Sequence, residues 1–271
     1  MSRRLPPSRA RRASQPAPGS RILIVKTGET AIEVRREHGD YDRWLSDALC
    51  EHPLEFEVSD ATRAAIPDPR PFAGVLVTGS IKSVREPEPW MDRLGDWLRG
   101  VESFGVPVLG VCFGCQILVQ ALGGRVVLNP EGWEIGAVEV RLSAACREDA
   151  LFAGIPSPMP VLATHEDRIE RLPPGAVPLA GNDGTPVQAF RVGERVWGVQ
   201  FHPEATPAIL RRLIRLRAAR LVEDARLHGR PTGRHVEHLL AGLERFDPRP
   251  ARLLLDAFVR LCASGSRGRR H

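Results

Sequence analysis

The sequence contains no apolar run long enough to cross a membrane. The longest, such as Gly105 to Cys112, stops far short of the roughly 20 residues a bilayer demands. Its N-terminal stretch MSRRLPPSRARRASQPAPGS lacks the apolar centre of a secretory signal. That stretch is Arg-rich and acid-free, as transit peptides are, but its prolines disfavour an amphipathic helix. There is no GxxxxGKS/T phosphate loop, no other glycine-rich nucleotide motif and no internal repeat, and neither a cofactor nor a metal is expected. The five cysteines (50, 112, 115, 146 and 262) are odd in number and irregular in spacing. They argue against an extracellular disulfide framework and for a reduced cytoplasm.

What charge there is belongs to the ends. The 38 Lys and Arg against 33 Asp and Glu give a net +5, yet residues 1–20 hold five Arg and 262–271 three, with no acid in either. The middle keeps 30 basic and 33 acidic groups, a net of −3. Pro, Ser and Arg without large apolar residues cannot build a core, so 1–20 and 263–271 are expected as disordered basic tails. Nucleic acid is not an expected partner.

Between the tails, apolar runs alternate with amphipathic stretches. Arg21 to Lys26 (RILIVK), Leu54 to Val58, Gly74 to Val77 (GVLV) and Val106 to Val111 read as strands. Ile32 to Cys50 reads as loop and helix. The spacing of Trp90, Leu94, Trp97, Leu98 and Val101 predicts a helix over Trp90 to Phe104, and Gln116 to Leu122 predicts another that stops at Gly123-Gly124. From Val126 to Gln200 strands and turns dominate: Gly136 to Leu142, Val161 to Thr164, Val177 to Ala180, then Val187 to Val192 and Val196 to Phe201 flanking Gly193-Glu194-Arg195 as a hairpin. From Thr206 to about Cys262 the chain is Arg- and Leu-rich and reads as helical. Continuous apolar strands alternating with helices imply an α/β fold with a mostly parallel sheet covered on both faces. The expected organisation is one domain over 21–210 and a helical extension over 211–262.

Chemistry concentrates at Gly110-Val111-Cys112-Phe113-Gly114. A cysteine directly after an apolar strand and before a helix, with glycine two positions away on either side, is what a nucleophile elbow requires, because the turn is tight. The thiol would sit above the sheet at a helix N-terminus, whose partial positive charge favours thiolate, and the Phe113 amide could serve as an oxyanion donor. Three plainer readings stand beside this one. A core cysteine would not require both glycines, a redox Cys112-x-x-Cys115 pair would not require a distant His-x-Glu, and a zinc site would require more ligands. At the end of the strand Val196 to Phe201 comes His202-Pro203-Glu204. The imidazole can take the thiol proton, and the carboxylate can fix the imidazole's tautomer.

GVCFGCQ, followed after a strand-rich stretch by WGVQFHPE, resembles the class I (triad) glutamine amidotransferases, and within them standalone members called GMP-synthase-like. The resemblance covers roughly residues 21–210. It implies a flavodoxin-like fold and hydrolysis of the glutamine side-chain amide through a γ-glutamyl thioester, with ammonia released to a synthase. On it, Cys112 would be the nucleophile, His202 the proton shuttle and Glu204 its orienter. Gly79 would add the second oxyanion donor beside Phe113, and Gln116 would contact the amino-acid end of the substrate. Thr164-His165-Glu166-Asp167 resembles a second histidine segment near the pocket, unless it is a capped turn. Asn129 to Gly136 is also family-like; there Trp133 lines the pocket or packs under a loop.

The sequence departs from the family at two places. The loop Thr78-Gly79-Ser80-Ile81 has Ser80 where many relatives carry a second glycine, and Cys115 stands where His or Met is usual. A thiol one helical turn from the nucleophile could form a disulfide with it, which peroxide followed by dithiothreitol would test. The residues after Thr206 are too few and too helical for the ATP-using domain of a complete GMP synthase, so ammonia would pass to another polypeptide. The alternatives are a γ-glutamyl peptidase or hydrolase using the same triad, and a non-catalytic regulatory subunit docking through its Arg-rich helices.

Overall fold

The computed structural model describes residues 21–268. The basic segment 1–20 and residues 269–271 lie outside the described residues, so the expected N-terminal tail does too. β1 (Arg21–Lys26) is buried on both faces along its centre, as its unbroken apolar run requires. It pairs in parallel with β2 (Glu55–Asp60) on one side and β3 (Gly74–Val77) on the other. β4 (Val108–Val111) and β11 (Val196–Val199) continue the parallel order.

Beyond β11 the pairing turns antiparallel through β10 (Ala189–Val192), β9 (Val177–Gly181), β6 (Glu134–Leu142) and β7 (Met159–His165), making one nine-stranded mixed sheet. The Gly193 hairpin thus falls between β10 and β11, as expected. A separate two-stranded ribbon joins β5 (Arg125–Leu128) to β8 (Asp167–Arg171).

Alternate side chains of the parallel strands feed two different cores, the period-2 consequence of the pleat. Leu23 and Val25 of β1 pack with α3 (Pro89–Arg99) and α4 (Phe113–Ala121) through Trp90, Leu94, Phe113 and Ile117. Ile22 and Ile24 face the other way, towards α2 (Tyr41–Ala48) and the C-terminal helix α8 (Arg249–Gly268). A third cluster lies under α5 (Pro207–Leu216), α6 (Ala218–Leu227) and α7 (His235–Glu244), and it includes Val34 of α1 (Ile32–His38).

The helices after residue 210 are therefore part of the core and not an appendage. Leu254, Leu255 and Phe258 are buried with Ile24, Leu76 and Leu109. The contact is close enough that a methyl at Gly74 would sit 2.3 Å from Cys262 Sγ. The boundary expected at 210/211 falls inside α5, and α8 runs to Gly268, past the expected end at Cys262. No helix of the described residues is long and apolar enough to cross a membrane.

Candidate active site

Three neighbouring parallel strands bring the expected residues to one edge. β3, β4 and β11 lie side by side, with Val77 opposite Gly110 and Val111 opposite Val199. The residues that follow them, Gly79, Cys112 and His202, therefore emerge together at the carboxyl ends, where open α/β sheets bind ligands.

The turn at Cys112 is strained. Its φ of 51° and ψ of −104° are unusual for any residue but glycine, and the chain holds it there by packing. Cys112 N–H donates to Val199 O (2.8 Å) and Gly114 N–H to Thr78 O (3.0 Å), which clamps the turn between β11 and β3. A methyl at Gly110 would lie 2.6 Å from Gly114 O, and one at Gly114 would lie 2.3 Å from Val77 O. The two glycines are thus there for backbone-to-backbone approach. Cys112 is the N-cap residue of α4, at the end where the helix carries partial positive charge. Phe113, the first residue of α4, has no helical carbonyl to receive its N–H.

His202 and Glu204 are both buried, with His202 Nδ1 2.7 Å from Glu204 Oε1. Nε2 of His202 makes no hydrogen bond of ordinary geometry, and Cys112 is the side chain near enough to act on it. Burial works against a charged ring here, but the Glu204 carboxylate and the Cys112 charge outweigh it and push the His202 pKa up to about 10. Tyr41 stacks on the ring (centroids 6.2 Å apart, planes 22°), and burial raises the tyrosine pKa. A methyl at Gly79 would come within 2.9 Å of His202 Cε1 and 3.2 Å of Tyr41 Cε1, so only glycine leaves room for both rings. The Gly79 carbonyl is held by the Thr27 and Thr78 hydroxyls at 3.1 and 2.9 Å. Ser80 is folded onto Gly28 and accepts from Lys82 N (3.1 Å), so it secures the loop where it replaces glycine.

The remaining expected residues divide. Gln116 is buried and lines the cleft, with its Nε2 3.2 Å from Gln200 Oε1, and Gln200 Nε2 in turn reaches to 3.8 Å of Cys112 Sγ. His165 lies between Asp167 O (2.9 Å from Nδ1) and Glu134 Oε2 (2.9 Å from Nε2), and it lines the same cleft. Glu134 also binds Asn182, Thr185 and Gln188 at 2.6–2.8 Å; burial opposes its charge, and His165 with these partners holds its pKa below the usual range.

Trp133 is buried at the cleft wall with the Arg217 and Arg220 guanidinium carbons each 5.0 Å from its ring. Cys115 is unpaired and fully buried, its sulfur 3.0 Å from where a methyl on Gly198 would sit. Burial raises its pKa well above the thiol range, which is ordinary core behaviour. Tyr41, Gln200, Glu134 and Arg217 were not anticipated. Gln200 stands within the WGVQFHPE motif and Glu134 next to Trp133, whereas Arg217 has no local signal.

The cleft above Cys112 measures about 380 Å³. One wall is the loop after β3, held over it where buried Asp167 accepts from Ser83 Oγ (2.5 Å) and Arg85 Nε (2.6 Å). Among the described residues no group of three or more His, Cys, Asp or Glu is arranged to hold a metal.

A strand–cysteine–helix turn beside a buried His–Glu pair, at the carboxyl edge of a parallel sheet, is the arrangement that an acyl-transferring cysteine would need. The chain belongs to the family of class-I glutamine amidotransferases, whose model matches residues 37–215. It is 40% identical over 147 residues to the GMP synthase [glutamine-hydrolyzing] of Leifsonia xyli subsp. xyli, covering 53% of this chain and 28% of that one. With the enzyme of the same name from Porphyromonas gingivalis it shares 40% over 133 residues, 48% of this chain and 24% of the other. The chain thus spans about a quarter of the length of these curated relatives. Among solved structures, a glutamine amidotransferase from Thermotoga maritima has the same fold (TM-score 0.69, 22% identity, 90% of this chain and 98% of that one). So has a glutamine amidotransferase from Methylobacillus flagellatus (TM-score 0.70, 22% identity, 89% and 94%).

Proposed function

We propose that this chain hydrolyses the side-chain amide of glutamine through a γ-glutamyl thioester on Cys112 and passes the ammonia to a separate synthase. The observation that carries the reading is the Cys112 turn, held at a φ of 51° next to a buried imidazole whose Nε2 makes no hydrogen bond of ordinary geometry and whose Nδ1 is fixed by Glu204. In the first half-reaction the Cys112 sulfur bonds to the amide carbon. The carbonyl oxygen takes negative charge, facing the N–H groups of Gly79 and Phe113. His202 then gives its proton to the nitrogen as the C–N bond breaks, and ammonia leaves. In the second, His202 takes a proton from water, the hydroxide carbon–oxygen bond forms, and the thiolate leaves with glutamate as product. Gln116 helps seat the amino-acid end. A cytoplasmic setting belongs to the same reading, with Cys50, Cys112, Cys115 and Cys146 outside any disulfide.

The size of the cleft favours one second reading. About 380 Å³ lies near the lower end of the range of small-molecule sites, which leaves room for a γ-glutamyl compound somewhat larger than glutamine. A γ-glutamyl peptide or amine would undergo the same steps with an amine as leaving group. The test is to incubate the protein with glutamine and with γ-glutamyl dipeptides, following released ammonia and amines. In parallel, a glutamine-analogue diazoketone is reacted and its site located by intact and peptide mass. Labelling at Cys112 that vanishes in Cys112→Ala is expected. A folded protein that stays unlabelled and turns over neither substrate class would sink the proposal and favour a non-catalytic role.

A further inference from the structure

Among the described residues four cations line the cleft: Lys82, Arg85, Arg217 and Arg220. Three are matched by carboxylates, Lys82 by Glu88 (2.8 Å), Arg85 by Asp167 (2.6 Å) and Arg220 by Glu166 (2.9 Å). Arg217 is not. Among the described residues no carboxylate oxygen comes within 4.0 Å of it; its hydrogen bond is from Nη1 to the Thr164 hydroxyl (2.8 Å). A guanidinium carries five N–H donors, and those that Arg217 does not spend on Thr164 are open to the cleft it lines, where an anion could take them. Burial lowers its pKa; Tyr41, then the more distant Glu166 carboxylate, then Cys112 raise it, and Arg220 opposes them.

Its position relative to the nucleophile is fixed by one residue. The Thr164 carbonyl lies 4.0 Å from Cys112 Sγ while the Thr164 hydroxyl holds Arg217. Those contacts plus the width of a threonine keep the bound Nη1 within roughly 11 Å of the sulfur. In an extended γ-glutamyl group the α-carboxylate carbon lies roughly 5 Å from the carbon attacked. Adding an approach of about 3 Å at sulfur and a charged hydrogen bond of about 2.8 Å gives a reach of about 11 Å, enough to cover any separation up to that limit. The arginine is also pre-positioned: its guanidinium carbon lies 5.0 Å from the Trp133 ring, and the backbone N–H of Trp133 is tied to Asp224 Oδ2 (3.0 Å). A side chain already ordered loses little entropy when the ligand arrives. Arg217 lies just beyond residues 37–215, the part matched by the family model.

Resting on the γ-glutamyl reading above, we propose that Arg217 receives the α-carboxylate of the substrate and restricts the site to γ-glutamyl compounds with that carboxylate free. The chemistry and the selection of the substrate's far end would then come from different segments, the matched domain and the α5–α6 junction. Arg217 touches no reacting atom and acts in binding.

The experiment compares rates of Cys112 labelling by a glutamine-analogue diazoketone and by its counterpart lacking the α-carboxylate. Each rate is normalised to labelling by iodoacetamide, which reports thiol reactivity alone. The full-length wild type should prefer the carboxylated probe by about 30-fold or more, the range of a charge-assisted hydrogen-bond pair. In Arg217→Met the normalised preference should fall to within about threefold of unity, and Arg217→Lys should keep an intermediate value. A wild type without preference overturns the assignment even if the variants do not fold. So does an Arg217→Met protein that keeps its preference, or whose losses vanish on normalisation, since these would mean a structural or thiolate-tuning role. Glutamine and dipeptide turnover are scored separately. Preference without turnover would fail the hydrolase reading and leave the carboxylate site standing, whereas turnover without preference would fail the carboxylate site alone.

Discussion

Replacing Gly114 by alanine separates close backbone approach from helix propensity. Gly114 is the second residue of α4, where alanine would normally stabilise by about 0.5–1 kcal/mol because glycine loses more backbone freedom on folding. Here the added methyl would meet Val77 O at 2.3 Å, Val77 C at 2.8 Å and Thr78 O at 2.9 Å. All three are backbone atoms of β3 and its loop, so nothing flexible can turn aside, and α4 must move by about 1 Å to restore ordinary contact. Overpacking of this kind costs about 1–3 kcal/mol, enough to outweigh the helical gain. The same movement shifts the Phe113 N–H from the Gly79 loop, and a displacement of that size can cost about 100-fold in rate. Gly114→Ala should therefore lower the melting temperature by several degrees and slow diazoketone labelling of Cys112 about 100-fold. Gly95→Ala is the matched control. It lies inside α3, where the methyl meets only Arg99 Nη1 at 3.9 Å, and it should stabilise the protein slightly with labelling unchanged. If Gly114→Ala unfolds and labels like the wild type, the close-approach account of the turn is refuted.

Other expectations follow from the same geometry. The His202 pKa is raised above its ordinary 6.5, so its contribution to stability is complete below pH 6.5 and drains away as pH rises towards about 10. Glu204→Gln removes the largest opposition to burial. The alkaline limb of Cys112 labelling should move to lower pH, and the fall in urea midpoint between pH 6.5 and 10 should shrink relative to wild type; an unmoved limb would contradict Glu204 as the support. Cys115→Ala should keep turnover and labelling within about threefold, as befits a buried small hydrophobe. It should also respond to peroxide and dithiothreitol as the wild type does; loss of a reversible switch would show that Cys112 and Cys115 pair. Phe258→Ala, in the fully buried core of α8, should cost about 3–5 kcal/mol in chemical denaturation. A cost below about 1 kcal/mol would mean that α8 is an appendage after all.

What could be read in advance depended on how local the determinant was. β1, β3 and β4 announce themselves as short unbroken apolar runs because both of their faces are covered, and Cys112 announces itself because the glycines beside it answer a local steric demand. The β5–β8 ribbon escaped because Arg168, Glu170 and Arg171 break the apolar alternation of β8 and leave Ile169 as its buried apolar residue. α8 showed its helical pattern but not its place. Nothing local says that Phe258 and Cys262 close over Gly74, about 190 residues earlier in the chain.

The site divides along the same line. Cys112, His202 and Glu204 sit in short motifs because strand ends impose their positions, and Gln200 was within reach as part of one of those motifs. Tyr41 and Arg217 are brought in by packing between distant helices: Tyr41 by α2, whose Asp40 cap is gripped by Lys26 (2.9 Å), and Arg217 by the α5–α6 junction against Thr164 and Trp133. Residues that perform a reaction need fixed local geometry and leave a mark in the sequence. A residue proposed to select the substrate, as Arg217 is, need only reach the cleft from wherever the fold allows, so its identity comes from three dimensions. An unmatched cation on a cleft wall is the form in which such a residue shows itself.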